Sequence, residues 1–350
     1  MGGMEAHSWH LCRGLAARGH AVTLFAAGES DAGVTLCPVL EAPYERHYPW
    51  ADYAGSEALT AHLDAGYGRV LPMLSDFDVV HNNSLHRYPP RWARRERVPM
   101  VTSLHVPPFD VLARAVDGAH APWAHFTVTS AVQRGRWWDT PPPQAHVVAN
   151  GIDPALWPPS AEGDGSAVWA GRLMANKGAH LAIQAARRAG MPLSLYGAME
   201  DPAYFQREVA PRLGGAIRYG GHLGAEDLGR AFARASVCLF TPLWDEPFGL
   251  VAIEAMSCGL PVAAFDTGAV REVVGDCGAY APVGDVDALA AALKAAMEIP
   301  RAAPRARVER HFTLSRMIDA YEALYAKAIA GRDAPAAETR YAPWELPPAP

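Results

Sequence analysis

Residues 237–265 run Val237-Cys238-Leu239-Phe240-Thr241-Pro242-Leu243-Trp244-Asp245-Glu246-Pro247-Phe248-Gly249-Leu250-Val251-Ala252-Ile253-Glu254-Ala255-Met256-Ser257-Cys258-Gly259-Leu260-Pro261-Val262-Ala263-Ala264-Phe265. The two short apolar runs at the ends, Val237 to Phe240 and Pro261 to Phe265, have the length and content of buried strands. Between them Pro247 suits a first helical turn, the residues after it are helix-compatible, and Gly259-Leu260-Pro261 ends the element. Strand, helix, strand is the unit from which parallel sheets covered by helices are built.

The same alternation extends outward along most of the chain. Further strand candidates in the second half are Ala167 to Ala170, Leu193 to Tyr196, Ala216 to Tyr219 and Gly278 to Ala281. The first half offers Ala21 to Ala26, Val34 to Val39, Asp78 to His81, Met100 to His105, His125 to Thr129 and His146 to Ala149. Each set suffices for its own sheet. Asn150-Gly151-Ile152-Asp153-Pro154, then Trp157-Pro158-Pro159-Ser160, gather turn formers and chain stiffeners between the sets. The expected division is a first domain over 1–150, a second over 151–312, a last helix within 313–330 and an irregular Ala- and Pro-rich tail over 331–350. The opening differs from this rhythm: Met1-Gly2-Gly3-Met4 leads straight into a helical pattern at Trp9, Leu11, Cys12, Leu15 and Ala16. A doubly wound sheet opens with a strand, so the first sheet is expected to lack its opening strand and residues upstream of Met1 are expected.

Composition narrows the class. With 350 residues, 50% hydrophobic and 19% charged, the chain can bury a core and two domains are the natural expectation. A net charge of −6 and a pI near 6.2 disfavour a general nucleic-acid binder. The five cysteines are widely spaced with no C-x-x-C pair, which suggests neither a disulfide framework nor a zinc site and fits a reducing, cytoplasmic setting. No apolar run is long enough to span a bilayer.

In open α/β sheets ligands bind beyond the carboxyl ends of the strands. There His81 and His105 close strands of the first set, and Arg172, His222 and Glu246 follow strands of the second. Glu246 and Glu254 are eight residues apart, about 12 Å of rise on a continuous helix, beyond the roughly 5–9.5 Å of a glycosidase carboxylate pair. The spacing suits a clamp on an elongated ligand with helix N–H groups between its ends, although a capping Glu246 and a solvated Glu254 explain it too. Gly171-Arg172-Leu173-Met174-Ala175-Asn176-Lys177-Gly178 carries two cations suited to a diphosphate, or merely a solvated loop. Asp76-Phe77-Asp78 enters a strand and Asp285-Val286-Asp287 starts a helix, so no metal is expected at either. Phosphate-loop, metalloprotease, serine-hydrolase and dinucleotide fingerprints are missing from the sequence.

Taken jointly, Glu246-Pro247-Phe248-Gly249-Leu250, Glu254-Ala255-Met256, Gly171-Arg172 through Lys177-Gly178, Asn150-Gly151-Ile152-Asp153 and the opening Gly2-Gly3-Met4-Glu5 resemble the retaining glycosyltransferases of family 4. The resemblance covers residues 2 to about 330 and implies the α/β GT-B fold, two Rossmann-like parallel-sheet domains facing a cleft. It implies a hexosyltransferase-type enzyme moving a sugar from a nucleotide-sugar donor to a sugar, lipid or small-molecule acceptor, with retained configuration and without metal or other cofactor. Carried over by residue, Arg172, Lys177 and the backbone of Phe248, Gly249 and Leu250 would hold the diphosphate, Glu254 the ribose, and Gly2 and Gly3 would form a flexible loop at the donor. His105 and Glu246 are the catalytic candidates, both near the transferred sugar. Asp266-Thr267-Gly268-Ala269 falls where members close over the donor, and the last helix would cross back to the first domain. Donor base, sugar, linkage and oligomeric state stay open, as does peripheral membrane contact. A sugar-nucleotide epimerase or other GT-B chemistry, and a degenerate non-catalytic sugar-nucleotide-binding protein, are the competing readings. Tyr44, Tyr48, Trp50 and Tyr53 read as a local packing cluster or an acceptor-side wall.

Overall fold

A computed structural model describes residues 3–335, so Gly2 and most of the expected irregular tail lie outside the described residues. The chain divides into two compact units: residues 1–129, 134–148 and 317–350 form the first, and residues 130–133 and 149–316 the second.

In the first unit, helix α1 (Gly3–Ala17) leads to strands β1 (Thr23–Ala27) and β2 (Thr35–Leu40), followed by α2 (Trp50–Tyr53) and α3 (Glu57–Val70). Then come β3 (Val80–Asn82), α4 (Tyr88–Glu96), β4 (Met100–Leu104), α5 (Asp110–Asp117), β5 (Ala124–Val128), α6 (Ala131–Trp137), which counts with this unit from Arg134 onward, and β6 (Ala145–Val147). All residues of β4 and β5 are buried, as expected for parallel strands covered on both faces. The strands form two separate parallel sheets, β1-β2 and β3-β4-β5-β6.

The second unit holds β7 (Ala167–Ala170), α7 (Ala179–Ala189), β8 (Leu193–Tyr196), α8 (Pro202–Tyr204), β9 (Ile217–Tyr219), α9 (Ala225–Arg234) and β10 (Val237–Phe240). It continues with α10 (Leu250–Ser257), β11 (Val262–Phe265), α11 (Val270–Val274), β12 (Gly278–Ala281), α12 (Val286–Ala296) and α13 (Ala302–His311). One parallel sheet runs β12-β11-β10-β7-β8-β9. Side chains alternate between its faces. Ala167, Trp169, Val237, Leu239, Ala263 and Phe265 pack under α7 and α12, whereas Val168, Ala170, Cys238, Phe240, Val262 and Ala264 pack with residues of α9, α10 and α11. Asp285 caps α12 by accepting from the Ala288 amide at 2.9 Å, the helix-start role expected of it.

The second unit's order explains the division of the first. Its opening strand, β7, lies in mid-sheet and is paired by β8 on one side and β10 on the other. By element order β1 and β3 correspond to β8 and β10, yet among the described residues neither has a partner on its second side. What joins the two small sheets is side-chain packing: Phe25 of β1 lies in one apolar cluster with Val80 and Met100, and its ring meets that of Phe77 at 5.5 Å.

The last helix, α14 (Leu314–Gly331), counts with the first unit from Met317 onward and buries Met317, Ile318, Tyr321, Leu324 and Tyr325. Two helix expectations are corrected. α10 begins at Leu250 rather than near Pro247, because Phe248 enters the core against Phe312 and Gly249 turns the backbone at φ 94°. Helix α13 precedes α14 and was not expected; of its residues only Pro304 and Val308 are buried. Phe265→Ala, which empties a fully buried site under α12, is expected to cost the second unit about 3–5 kcal/mol. Urea unfolding checks this as a lower midpoint at unchanged slope.

Candidate functional site

The carboxyl edge of the second unit's sheet gathers most of the expected residues. The loop from Gly171 to Gly178 leaves β7 and is tied to the end of β10 by Thr241, whose hydroxyl accepts from Trp169 Nε1 at 2.9 Å and donates to the Lys177 carbonyl at 2.9 Å. The Leu243 amide adds a bond to the Asn176 carbonyl at 2.8 Å. This anchoring delivers Lys177 Nζ to Glu246 Oε2 at 2.7 Å, with both side chains largely buried. Trp244 completes the cluster: its Nε1 donates to the same oxygen at 2.9 Å, and its ring lies 4.9 Å from the ammonium.

Glu246 is also held from behind. Its carbonyl accepts from the Ala269 amide at 2.8 Å. Gly268 lies so close that a Cβ there would come within 2.4 Å of that carbonyl oxygen, and its φ of 54° favours glycine. The expected closing segment, Asp266 to Ala269, therefore packs directly on Glu246. Arg172 stands apart from this cluster: it is exposed and pairs with Glu200 at 3.0 Å.

Phe248 has a buried ring, so only its backbone is available to a ligand. Gly249 precedes α10 and Leu250 opens it; the Ala252 amide donates to the Gly249 carbonyl at 3.0 Å, which leaves the N–H groups of Leu250 and Val251 as those a helix start offers to a ligand. Glu254 lies on α10 beneath them, and burial in apolar surroundings pushes its carboxyl up to about 7.

In the first unit, His105 follows β4 directly. Its Nε2 is 3.1 Å from Asn83 Oδ1, and its ring meets that of His7 at 4.4 Å. Burial lowers its pKa to about 4, and burial together with the charge of His105 lowers that of His81 to about 3, so both rings are neutral. Gly3 is the first residue of α1 rather than part of a loop. Tyr48 packs edge-on against Tyr53 at 5.2 Å while Trp50 is exposed. Trp244 and Gly268 were not singled out from sequence as functional; Gly268 entered only with its segment, Asp266 to Ala269. Among the described residues, no group of three or more His, Cys, Asp or Glu side chains is arranged to hold a metal ion, and no helix is long and apolar enough to cross a membrane.

Comparison with known proteins gives the family and the fold. Residues 1–156 match the model for Glycosyltransferase Family 4 and residues 165–298 that for Glycosyl transferases group 1. The chain belongs to glycosyltransferase family 4. This glycosyltransferase is 28% identical to a glycogen synthase of Mycobacterium tuberculosis over 87% of its own length and 84% of the relative's. It is 27% identical to a D-inositol 3-phosphate glycosyltransferase of Geodermatophilus obscurus, over 99% of its length and 88% of the relative's. The crystal structure of Anabaena Alr3699/HepE in complex with UDP and glucose matches at a TM-score of 0.72 and 19% identity, covering 93% of this chain and 96% of that one. Likeness of this kind makes the fold GT-B. For the glycosyltransferase, a double-mutant cycle of Lys177→Met and Glu246→Gln on urea stability is expected to give a coupling of roughly 1–3 kcal/mol, because each single change strands a largely buried partner.

Proposed function

We propose that this chain transfers a hexosyl group from a nucleotide-sugar donor to a hydroxyl acceptor with retained anomeric configuration, and that it does so without a metal. The observation that carries the reading is the Lys177–Glu246–Trp244 cluster beside the start of α10. The relatives named as a glycogen synthase and an inositol phosphate glycosyltransferase, and the neighbour crystallised with UDP and glucose, support the same class of chemistry.

Breaking the bond between the anomeric carbon and the phosphate oxygen puts negative charge on the departing diphosphate and positive character on the sugar. A fixed ammonium and helix N–H groups stabilise the first. In the free protein Lys177 is held by Glu246. A diphosphate competes for that ammonium, and the carboxylate it releases accepts hydrogen bonds from hydroxyls of the transferred sugar. Arg172, exposed and paired with Glu200, swings to the outer phosphate at little cost. The acceptor oxygen bonds to the anomeric carbon on the face the phosphate leaves, and its proton goes to a departing phosphate oxygen. No protein nucleophile is required, and Glu246 positions the sugar.

Glu254 adds a pH dependence. Ribose hydroxyls donate to an ionised carboxylate, while the free protein keeps this group protonated up to about 7. Donor binding below that value must therefore expel a proton. Affinity for UDP is expected to rise from about pH 5 to about pH 7 and then level, and Glu254→Gln is expected to weaken and flatten the profile. Calorimetric titration at several pH values measures both.

A panel of UDP-, GDP- and ADP-sugars read by thermal shift tests the donor class, since a ligand that binds only the folded state raises the melting temperature. At least one is expected to raise it, and Lys177→Ala to abolish the rise. Anomeric proton couplings in the product then report retention, and an inverted product or no shift with any donor overturns the reading.

A further inference from the structure

The environment of His105 contains a chain of hydrogen bonds whose direction is set by a backbone carbonyl. In the first turns of α1, the Ser8 hydroxyl donates to the Met4 carbonyl at 3.0 Å, which commits its only proton. Ser8 Oγ can then only accept, and the atom 3.0 Å from it is the amide nitrogen of Asn83. The Asn83 side chain is thereby oriented without ambiguity: Nδ2 faces Ser8 and Oδ1 faces the histidines. Oδ1 has no proton to give, so both imidazole nitrogens beside it, Nε2 of His105 at 3.1 Å and Nε2 of His81 at 3.1 Å, must carry one. The far side of His81 agrees, because its Nδ1 is 2.7 Å from the Tyr325 hydroxyl, which donates to it. Ser103 Oγ shares the His81 proton at 2.9 Å.

For His105 the consequence is a defined free end. A neutral ring protonated at Nε2 carries its lone pair at Nδ1. Among the described residues that nitrogen has no hydrogen-bond partner, and the side chain is half-buried rather than enclosed. We propose that Asn83 is a positioning residue that fixes His105 as the Nε2–H tautomer, so that Nδ1 accepts a hydrogen bond from a ligand hydroxyl. The orientation runs from Met4 through Ser8 and Asn83, and none of these residues needs to touch the ligand. Naming the hydroxyl as one of a sugar substrate rests on the proposed function; the tautomer assignment does not.

The test uses the full chain labelled with nitrogen-15 at histidine. Long-range proton–nitrogen correlation spectra distinguish the two neutral tautomers, and loss of a signal set in His105→Gln assigns that residue. The wild type is expected to show Nε2–H for His105. Asn83→Ala is expected to give a tautomer mixture and to lower kcat for UDP-glucose hydrolysis roughly ten- to hundred-fold, with KM changed by less than about threefold. Asn83→Asp keeps an acceptor in the same place, guards against simple loss of fold, and is expected to retain Nε2–H and recover at least part of kcat. A wild-type His105 protonated at Nδ1, or an unchanged tautomer in Asn83→Ala, overturns the proposal. If the tautomers behave as stated but the wild type neither binds nor hydrolyses UDP-glucose or any other donor of the panel, the positioning role stands and the proposed function falls.

Discussion

The site in the second unit depends on one electrostatic constraint: an ammonium and a carboxylate, both largely out of water, occupy each other. Neither is tolerable there alone, because an unpaired charge loses its hydration with nothing in return. The pair is therefore present in the free protein, and the scaffold around it serves to keep both groups in reach. Thr241 fixes the loop that carries Lys177, while Gly268 and the Ala269 amide fix the backbone that carries Glu246. A ligand that opens such a pair has to replace both partners, with an anion for the lysine and hydrogen-bond donors for the glutamate. A sugar diphosphate has both.

The two units solve the same folding problem to different degrees. In the second, a six-stranded parallel sheet with alternating side chains is sealed on both faces, and its opening strand sits in the middle. In the first, the corresponding position has no strand among the described residues, and packing of Phe25, Phe77 and Val80 stands in for a ladder of backbone bonds. Side-chain packing is less directional than such a ladder, so this half is expected to be the less rigid of the two. The polar network at His81, His105 and Asn83 offsets part of that, joining the ends of β3 and β4 to α1 and α14.

The strands were legible in the sequence because buried parallel strands are short, apolar and punctuated: every expected run became a strand, with ends shifted by two residues at most. Helix α13 was not, since a segment rich in Arg and Ala that buries little has no apolar period to read. The start of α10 was misplaced because Pro247 favours a helical first turn locally, whereas burial of Phe248 against Phe312 decides the matter from a distance. Lys177 and Glu246 stood out individually, but their contact joins segments 69 positions apart and has no signature in either. Asn83 is the extreme case. Its role follows from bonds to Ser8, His81 and His105, residues that only the fold assembles.

A crystal structure of the protein with UDP-glucose tests the central claim most directly. The account predicts Lys177 Nζ about 2.7–2.9 Å from a diphosphate oxygen, with Glu246 turned away from the lysine and onto a sugar hydroxyl. A bound donor whose diphosphate lies elsewhere while the Lys177–Glu246 pair stays closed would contradict it.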